Sequence, residues 1–338
     1  RRQRQMCIRD SRGKKAAENG TYARNRSYVG IIGGMLPVQP AQAPVIYLVE
    51  PFGGSMRRQN VNLPHVFWDD AAVTRGDGCF ETILIHGGEP VNMDAHIARF
   101  ARSAALLDLP EPAAETWRTA TLEAVGEYVR ELGLDPQDVE AKCQWTYTRG
   151  RETTGVPTAW VSVRPIPAAQ LKQRKKGVKV MTASRGYTLT PTEDTPWVTV
   201  GAKSLNYAAA MSALRWAKKQ GCDDVIFVDP ATGRVLEGAT STVITVKGDK
   251  LRTPVTGGDV LPGTTQAAIF RLAEERGWRC KEKDLTIDDL LGADQVWLVS
   301  SVRGGVRVTE IDGTSTKAPS KKDEATLASL IDVARTTV

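Results

Sequence analysis

The 338-residue chain is long enough to bury a large apolar core in about two domains, and its 41% hydrophobic, 25% charged and 6% aromatic residues are ordinary for a globular protein. It has no run of about 18 consecutive apolar residues, so no membrane span is expected. The formal charge of +6 sits in the first 30 residues, where nine Lys/Arg face two acids, a surplus of seven that leaves the rest of the chain at −1. A nucleic-acid surface needs a basic face with stacking aromatics, and the body offers no such cluster.

The basic tail has no apolar core segment followed by a cleavage site, so it is not a secretory signal. Its Arg-rich, acid-poor makeup is shared by transit segments, and an artefactual extension fits it equally well. Residues 1–44, ending in the Pro-rich MLPVQPAQAP stretch, are read as disordered tail and linker. Five scattered cysteines, odd in number and without C-x-x-C, argue against a disulfide framework and fit a reducing, cytoplasmic setting. Three histidines lack metal spacing, and no metal is expected.

Folded structure is expected to start near Val45 or Val61. Residues 81–93 alternate around Gly87-Gly88, a hairpin signal. Asp94 then occupies an N-cap position for a helix carrying Ile97, Phe100, Ala101, Ala104 and Ala105 on one side. A second helix is expected over 115–132, stopping at Gly133, followed by strands over 139–147 and 158–164. The polar, basic, Pro-containing 166–177 reads as an interdomain linker. A strand over 178–183 opens the second unit, and a β-rich run precedes Lys203. A helix follows that lysine, with Tyr207, Ala210, Met211 and Leu214 on one face. Strands and turns fill 224–254, a helix 264–276, a buried strand 295–300 and a closing helix 325–334. Strands and helices mix without regular βαβ alternation, which indicates an α+β fold of two domains: a smaller one over 45–165 and a larger one over 178–338.

Six blocks carry candidate chemistry. Lys203, in VGAKSLNY (200–207), lies where burial would favour the neutral, nucleophilic amine. Glu237, in RVLEGATST (234–242), is an acid ahead of a strand, suited to holding a pyridine nitrogen protonated. LPGTTQ (261–266) places Gly263 and the N–H groups of Thr264 and Thr265 at a helix start, an anion cradle. HIAR (96–99) sets Arg99 three residues after His96 on one helix side, offering two donors to a phosphate. RGDGCFET (75–82) reads as a tight turn feeding a strand, and SSVR (300–303) follows the last buried strand. Each block alone fits a plain structural role as well: a surface lysine, a turn acid, an N-cap, a solvated helix face.

Taken in this order, the six blocks resemble the fold-type IV enzymes that depend on pyridoxal 5′-phosphate (PLP). That family holds branched-chain and D-amino-acid aminotransferases and aminodeoxychorismate lyases, and the resemblance runs from about residue 66 to 313. It implies that the cofactor lies between the two domains. Lys203 would carry it as a Schiff base and shuttle protons. Glu237 would face the pyridine nitrogen, Leu261 would pack on the ring, and Tyr207 would approach the phenolic oxygen, with a shift in spacing. Arg99, Gly263, Thr264 and Thr265 would hold the phosphate, with Ser300 and Ser301 near it, and Arg303 would receive a substrate carboxylate. The GDGCF and SSVR stretches look most like aminodeoxychorismate lyases, which implies release of 4-aminobenzoate and pyruvate in folate biosynthesis. The alternative is an aminotransferase acting on branched-chain or D-amino acids. The resemblance also implies a homodimer acting on a small-molecule substrate.

Overall fold

The computed structural model describes residues 43–50, 54–186, 195 and 197–337. The basic tail, 1–42, lies outside the described residues. The first half is one antiparallel sheet with two helices on one face. The chain enters at β1 (Val45–Val49), which pairs with β2 (Met56–Arg58). A short helix α1 (Ala71–Thr74) is capped by the Asp70 side chain on the Ala72 N–H. β3 (Gly78–His86) turns through Gly87 and Gly88, both at positive φ, into β4 (Glu89–Pro90). Helices α2 (Met93–Leu106) and α3 (Ala114–Leu132) follow, then β5 (Glu140–Thr148) and β6 (Thr158–Pro165). The strand order is β2-β1-β6-β5-β3-β4.

Alternation along β3 and β5 decides what this sheet does. One set of side chains, including Ile83, Ile85, Cys143 and Trp145, is buried with Phe100 of α2 and Trp117 and Tyr128 of α3. Trp145 satisfies its indole N–H on Thr121 Oγ1 at 2.7 Å. The other set, including Phe80, Thr82 and Lys142, lines a cavity. The expected cap of α2 is displaced by two residues. Asn92, at φ 54°, is the capping residue, because asparagine tolerates the left-handed conformation that leaves the hairpin. Asp94 falls in the first turn instead, where it pairs with Arg118 at 2.7 Å.

Residues 166–177 hold α4 (Ala168–Lys176), a helix with no buried residue and therefore no apolar stripe to announce it. It ends on Arg174, Lys175 and Lys176, cations that suit a helix C-terminus. The second half builds on β7 (Val178–Ser184), α5 (Ala208–Lys219), β8 (Asp224–Val228), β9 (Val235–Gly238), β10 (Thr242–Lys247) and β11 (Lys250–Thr253). It continues with α6 (Thr264–Glu275), β12 (Arg279–Glu282), α7 (Ile287–Gly292), β13 (Gln295–Ser300), β14 (Gly304–Ile311), β15 (Thr314–Ser315) and α8 (Lys321–Thr336). Nine strands form a mixed sheet in the order β12-β11-β10-β13-β14-β7-β8-β9, with β15 beside β14. The β11–β12, β14–β7 and β7–β8 pairs are parallel and the others antiparallel. Two sheets with helices segregated to their faces make this an α+β fold. Among the described residues, no helix is long and apolar enough to cross a membrane.

Candidate active site

Lys203 is held by its own backbone. The run before it, 197–202, forms turns and not the expected strand, and α5 begins only at Ala208. The lysine segment instead runs antiparallel to the start of β3. The Phe80 N–H donates to the Lys203 carbonyl at 3.0 Å, and the Leu205 N–H donates to the Gly78 carbonyl at 2.8 Å. The Lys203 N–H donates to Ser103 Oγ of α2 at 3.1 Å. This close approach requires Gly78, since a Cβ there would lie 2.6 Å from the Tyr147 carbonyl oxygen and 2.8 Å from Leu205. Lys203 Nζ lies 4.7 Å from the Phe80 ring centre and 6.0 Å from that of Tyr207.

That amine opens into a cavity of about 800 Å³. Every residue to which the resemblance gives a role lines it: Arg99, Lys203, Tyr207, Glu237, Leu261, Gly263, Thr264, Thr265, Ser300, Ser301 and Arg303. Glu237, on β9, accepts from Arg185 Nη2 at 2.9 Å through Oε1 and from the Leu261 N–H at 3.3 Å through Oε2. Burial pushes its carboxyl up, and Arg185 offsets only part of that rise.

Arg99, on α2, is anchored from behind. Its Nε and Nη2 donate to the two oxygens of Glu81 at 2.7 and 2.8 Å, and Nη1 donates to the Pro262 carbonyl at 2.9 Å. Glu81 is fully buried on β3. Burial opposes its ionisation, but Arg99 and then His96 outweigh it and hold the carboxyl well below the usual range. His96 Nδ1 lies 2.7 Å from Glu81 Oε2. Burial pushes the imidazole down despite Glu81, so the ring is neutral with its proton on Nδ1, assigned from that partner. His96 Nε2 is then an acceptor, 3.5 Å from Ser301 Oγ, which lies 3.1 Å from Thr265 Oγ1. A polar chain thus runs from Glu81 through His96 and Ser301 to the first turn of α6.

The start of α6 has no side-chain cap, so its first N–H groups keep their donor capacity where Thr264 and Thr265 line the cavity. Gly263 is required there by Thr242: a Cβ would lie 2.5 Å from Thr242 Oγ1. Arg303 is placed differently from the expectation. It is 7% exposed, its Nη1 pairs with Asp224 Oδ2, and its Nη2 donates to Ser241 Oγ at 3.1 Å. Its charge is paired inside the protein, while its buried Nε–H has no hydrogen-bond partner among the described residues.

Sequence reasoning missed Arg185, Lys142, Gln170 and Ser241, all lining the cavity, and the supporting roles of Glu81 and His96. Glu81 and His96 stood inside the quoted blocks, and strand alternation from Phe80 and Thr82 points one face of β3 and β5 at the cavity. Arg185 and Gln170 carry no such signal.

The chain matches the family described as amino-transferase class IV over residues 78–311. It belongs to that family. A bifunctional aminodeoxychorismate lyase / D-amino acid transaminase from Mycobacterium tuberculosis is 39% identical over 279 residues, covering 80% of this chain and 94% of that one. The fold IV-transaminase CpuTA1 from Curtobacterium pusillum is 39% identical with a TM-score of 0.78, over 86% of this chain and 97% of the other. A hypothetical aminotransferase from M. tuberculosis, solved with α-ketoglutarate and PMP, is 37% identical with a TM-score of 0.79, over 86% and 98% of the two chains. The same M. tuberculosis protein has a PLP-bound form.

PLP is the cofactor of this class, and the cavity suits it. An amine, a half-buried acid and an uncapped helix start beside a buried arginine are the set of groups that its aldehyde, pyridine nitrogen and phosphate require. The chain is a PLP-dependent enzyme of class IV, an aminotransferase or a lyase.

Proposed function

We propose that this enzyme is a 4-amino-4-deoxychorismate lyase, releasing 4-aminobenzoate and pyruvate. The observation that carries the reading is the 39% identity to the bifunctional lyase and transaminase, over 94% of its length. The geometry is compatible with it: Lys203 lines the cavity that would hold the cofactor.

Bound PLP supplies an electron sink for the charge that develops beside the amine-bearing carbon. The protein residues do the rest. Lys203 Nζ would hold the aldehyde and, as a free amine, would take the proton from that carbon and pass one to the leaving group. Glu237 keeps the pyridine nitrogen protonated, with Arg185 and the Leu261 N–H fixing its two oxygens. Arg99 and the first turn of α6, Gly263 to Thr265, bind the phosphate, and Ser301 orients the Thr265 hydroxyl. Tyr207 and Leu261 bound the ring. With that single ring proton removed, breaking the C–O bond to the enolpyruvyl group on the neighbouring ring carbon would make the ring aromatic, and the departing enol would take up a proton to become pyruvate.

A second reading, D-amino-acid transamination, is favoured by the other half of the same relative's name. A D-alanine aminotransferase from Bacillus licheniformis, 29% identical over 72% of this chain, adds to it. Both reactions use the same residues, so a product assay separates them. The purified enzyme given aminodeoxychorismate and no 2-oxo acid yields 4-aminobenzoate and pyruvate if it is a lyase. Strict dependence on a 2-oxo-acid acceptor overturns the lyase reading.

The proposal includes a cytoplasmic homodimer. Cys79, Cys143, Cys222 and Cys280 are free thiols, as in a reducing compartment. Leu63, Phe67 and Trp68 are exposed apolar side chains of the kind an assembly covers. Sedimentation equilibrium of the holoenzyme at twice the chain mass is the expected result.

A further inference from the structure

Three arginines line the cavity, and each is already matched by an acid: Arg99 by Glu81, Arg185 by Glu237 and Arg303 by Asp224. Lys203 is engaged by the cofactor aldehyde. Among the described residues lining the cavity, that leaves one cation without a carboxylate partner, Lys142.

Lys142 sits mid-strand on β5, opposite Leu84 of β3 and Arg164 of β6. Its strand neighbours Ala141 and Cys143 point into the apolar core, so its own side chain is on the cavity face with Phe80 and Thr82. It is half-buried, and burial pushes its ammonium down to about 8, with Arg164 and then Lys203 adding repulsion. The lining also holds two buried polar atoms with no partner, the Gln170 Oε1 acceptor of α4 and the Arg303 Nε–H, whose guanidinium charge is nevertheless paired with Asp224. A half-buried ammonium with two cations near it and no anion is costly unless a ligand supplies the negative charge.

We infer that Lys142, and not Arg303, receives a carboxylate of the substrate. This rests on the proposed cofactor chemistry at Lys203, which places an amine-bearing substrate in the same cavity. The ligand class is an organic carboxylate whose amine joins the cofactor and whose anionic group bridges to β5. A charge-assisted hydrogen bond of this kind is worth about 1.5–3 kcal/mol, which is roughly a 10- to 100-fold preference for the anion.

The test uses the PLP-loaded enzyme and two unreactive probes of matched shape, glutarate and its uncharged diamide, titrated by calorimetry. The wild type binds glutarate at least about tenfold more tightly than the diamide. In Lys142→Met that ratio collapses to about twofold or less, and Lys142→Arg restores it. A second measurement needs no folding-sensitive variant. The charged groups near Lys142 are Arg164 and Lys203, with the Cys143 thiol beside it on the opposite face of β5. Cys143 is held protonated by burial, which pushes its thiol far up. The wild-type preference for glutarate therefore fades as the pH rises above about 8, and in Lys142→Arg it persists. A Lys142→Met enzyme that keeps the full preference overturns the inference, as does a wild type with no preference or one whose preference ignores alkaline pH. The two readings fail separately: a protein that binds no PLP sinks the proposed function, whereas a fully loaded enzyme indifferent to Lys142 sinks only this assignment.

Discussion

Glu81 Oε2 lies 2.7 Å from His96 Nδ1 while the same carboxylate takes two hydrogen bonds from Arg99. One buried acid thus fixes both an arginine at the cofactor cavity and a neutral histidine behind it. Removing one member of a buried ion pair costs about 3–5 kcal/mol, because the remaining charge is stranded. Glu81→Gln is therefore expected to lower the unfolding midpoint in urea and to weaken PLP binding, read by equilibrium dialysis.

The same acid sets a pH dependence. Its carboxyl is depressed in the folded state, so its stabilising contribution is complete above the ordinary carboxylate range. That contribution is lost as the pH falls towards the folded value. Acid unfolding followed by circular dichroism is expected to be steeper in the wild type than in Glu81→Gln over the range below about pH 4.5. Parallel curves would remove Glu81 from the account.

Lys203→Ala is expected to abolish the visible absorbance of the purified enzyme and to cut product formation by about 10²–10⁴-fold or more. Borohydride reduction of the wild type followed by peptide mapping places the pyridoxyl group on Lys203. A mark elsewhere contradicts the assignment.

Arg185 holds Glu237 down against the upward pull of burial. Arg185→Met raises the Glu237 carboxyl further and weakens its charge, so the pyridine nitrogen is held less firmly. The expected result is a fall in kcat of roughly 10²-fold, with its acid limb moved to higher pH. A change in KM alone would show that Arg185 acts on substrate and not through Glu237.

Gly263→Ala forces a methyl group to within 2.5 Å of Thr242 Oγ1. The cost is about 1–3 kcal/mol in stability, with a weaker grip on the cofactor phosphate. Adding Thr242→Ala makes room and is expected to recover most of the loss in thermal unfolding.

The site was legible in the sequence where chemistry and local backbone share one short stretch. Lys203, Glu237 and the Gly263–Thr265 turn are readable because a lone lysine, an acid before a strand and a glycine before a helix each imply a local geometry. Arg303 shows the limit. Its block is as distinct as the others, but its partner Asp224 is 79 residues away, and no local pattern reveals a guanidinium already neutralised. The strand expected before Lys203 failed for a related reason. Residues 197–202 have β propensity, but the hydrogen bonds of this segment go to β3, more than 120 residues earlier, and begin only at Lys203. Helix α4 was hidden because it buries nothing, and Arg185 because its role depends on where β7 ends.

The two backbone hydrogen bonds between the Lys203 segment and β3 reach beyond the placing of one amine. They make the free rim of the first sheet a ledge on which the second half rests its reactive group. A gene cut in the 166–177 helix would yield one fragment holding the ledge and Arg99, and another holding the lysine, the acid and the anion-binding turn. Neither fragment alone would own a complete catalytic centre, and restoring turnover would require them to dock again along that ledge and the contacts around it.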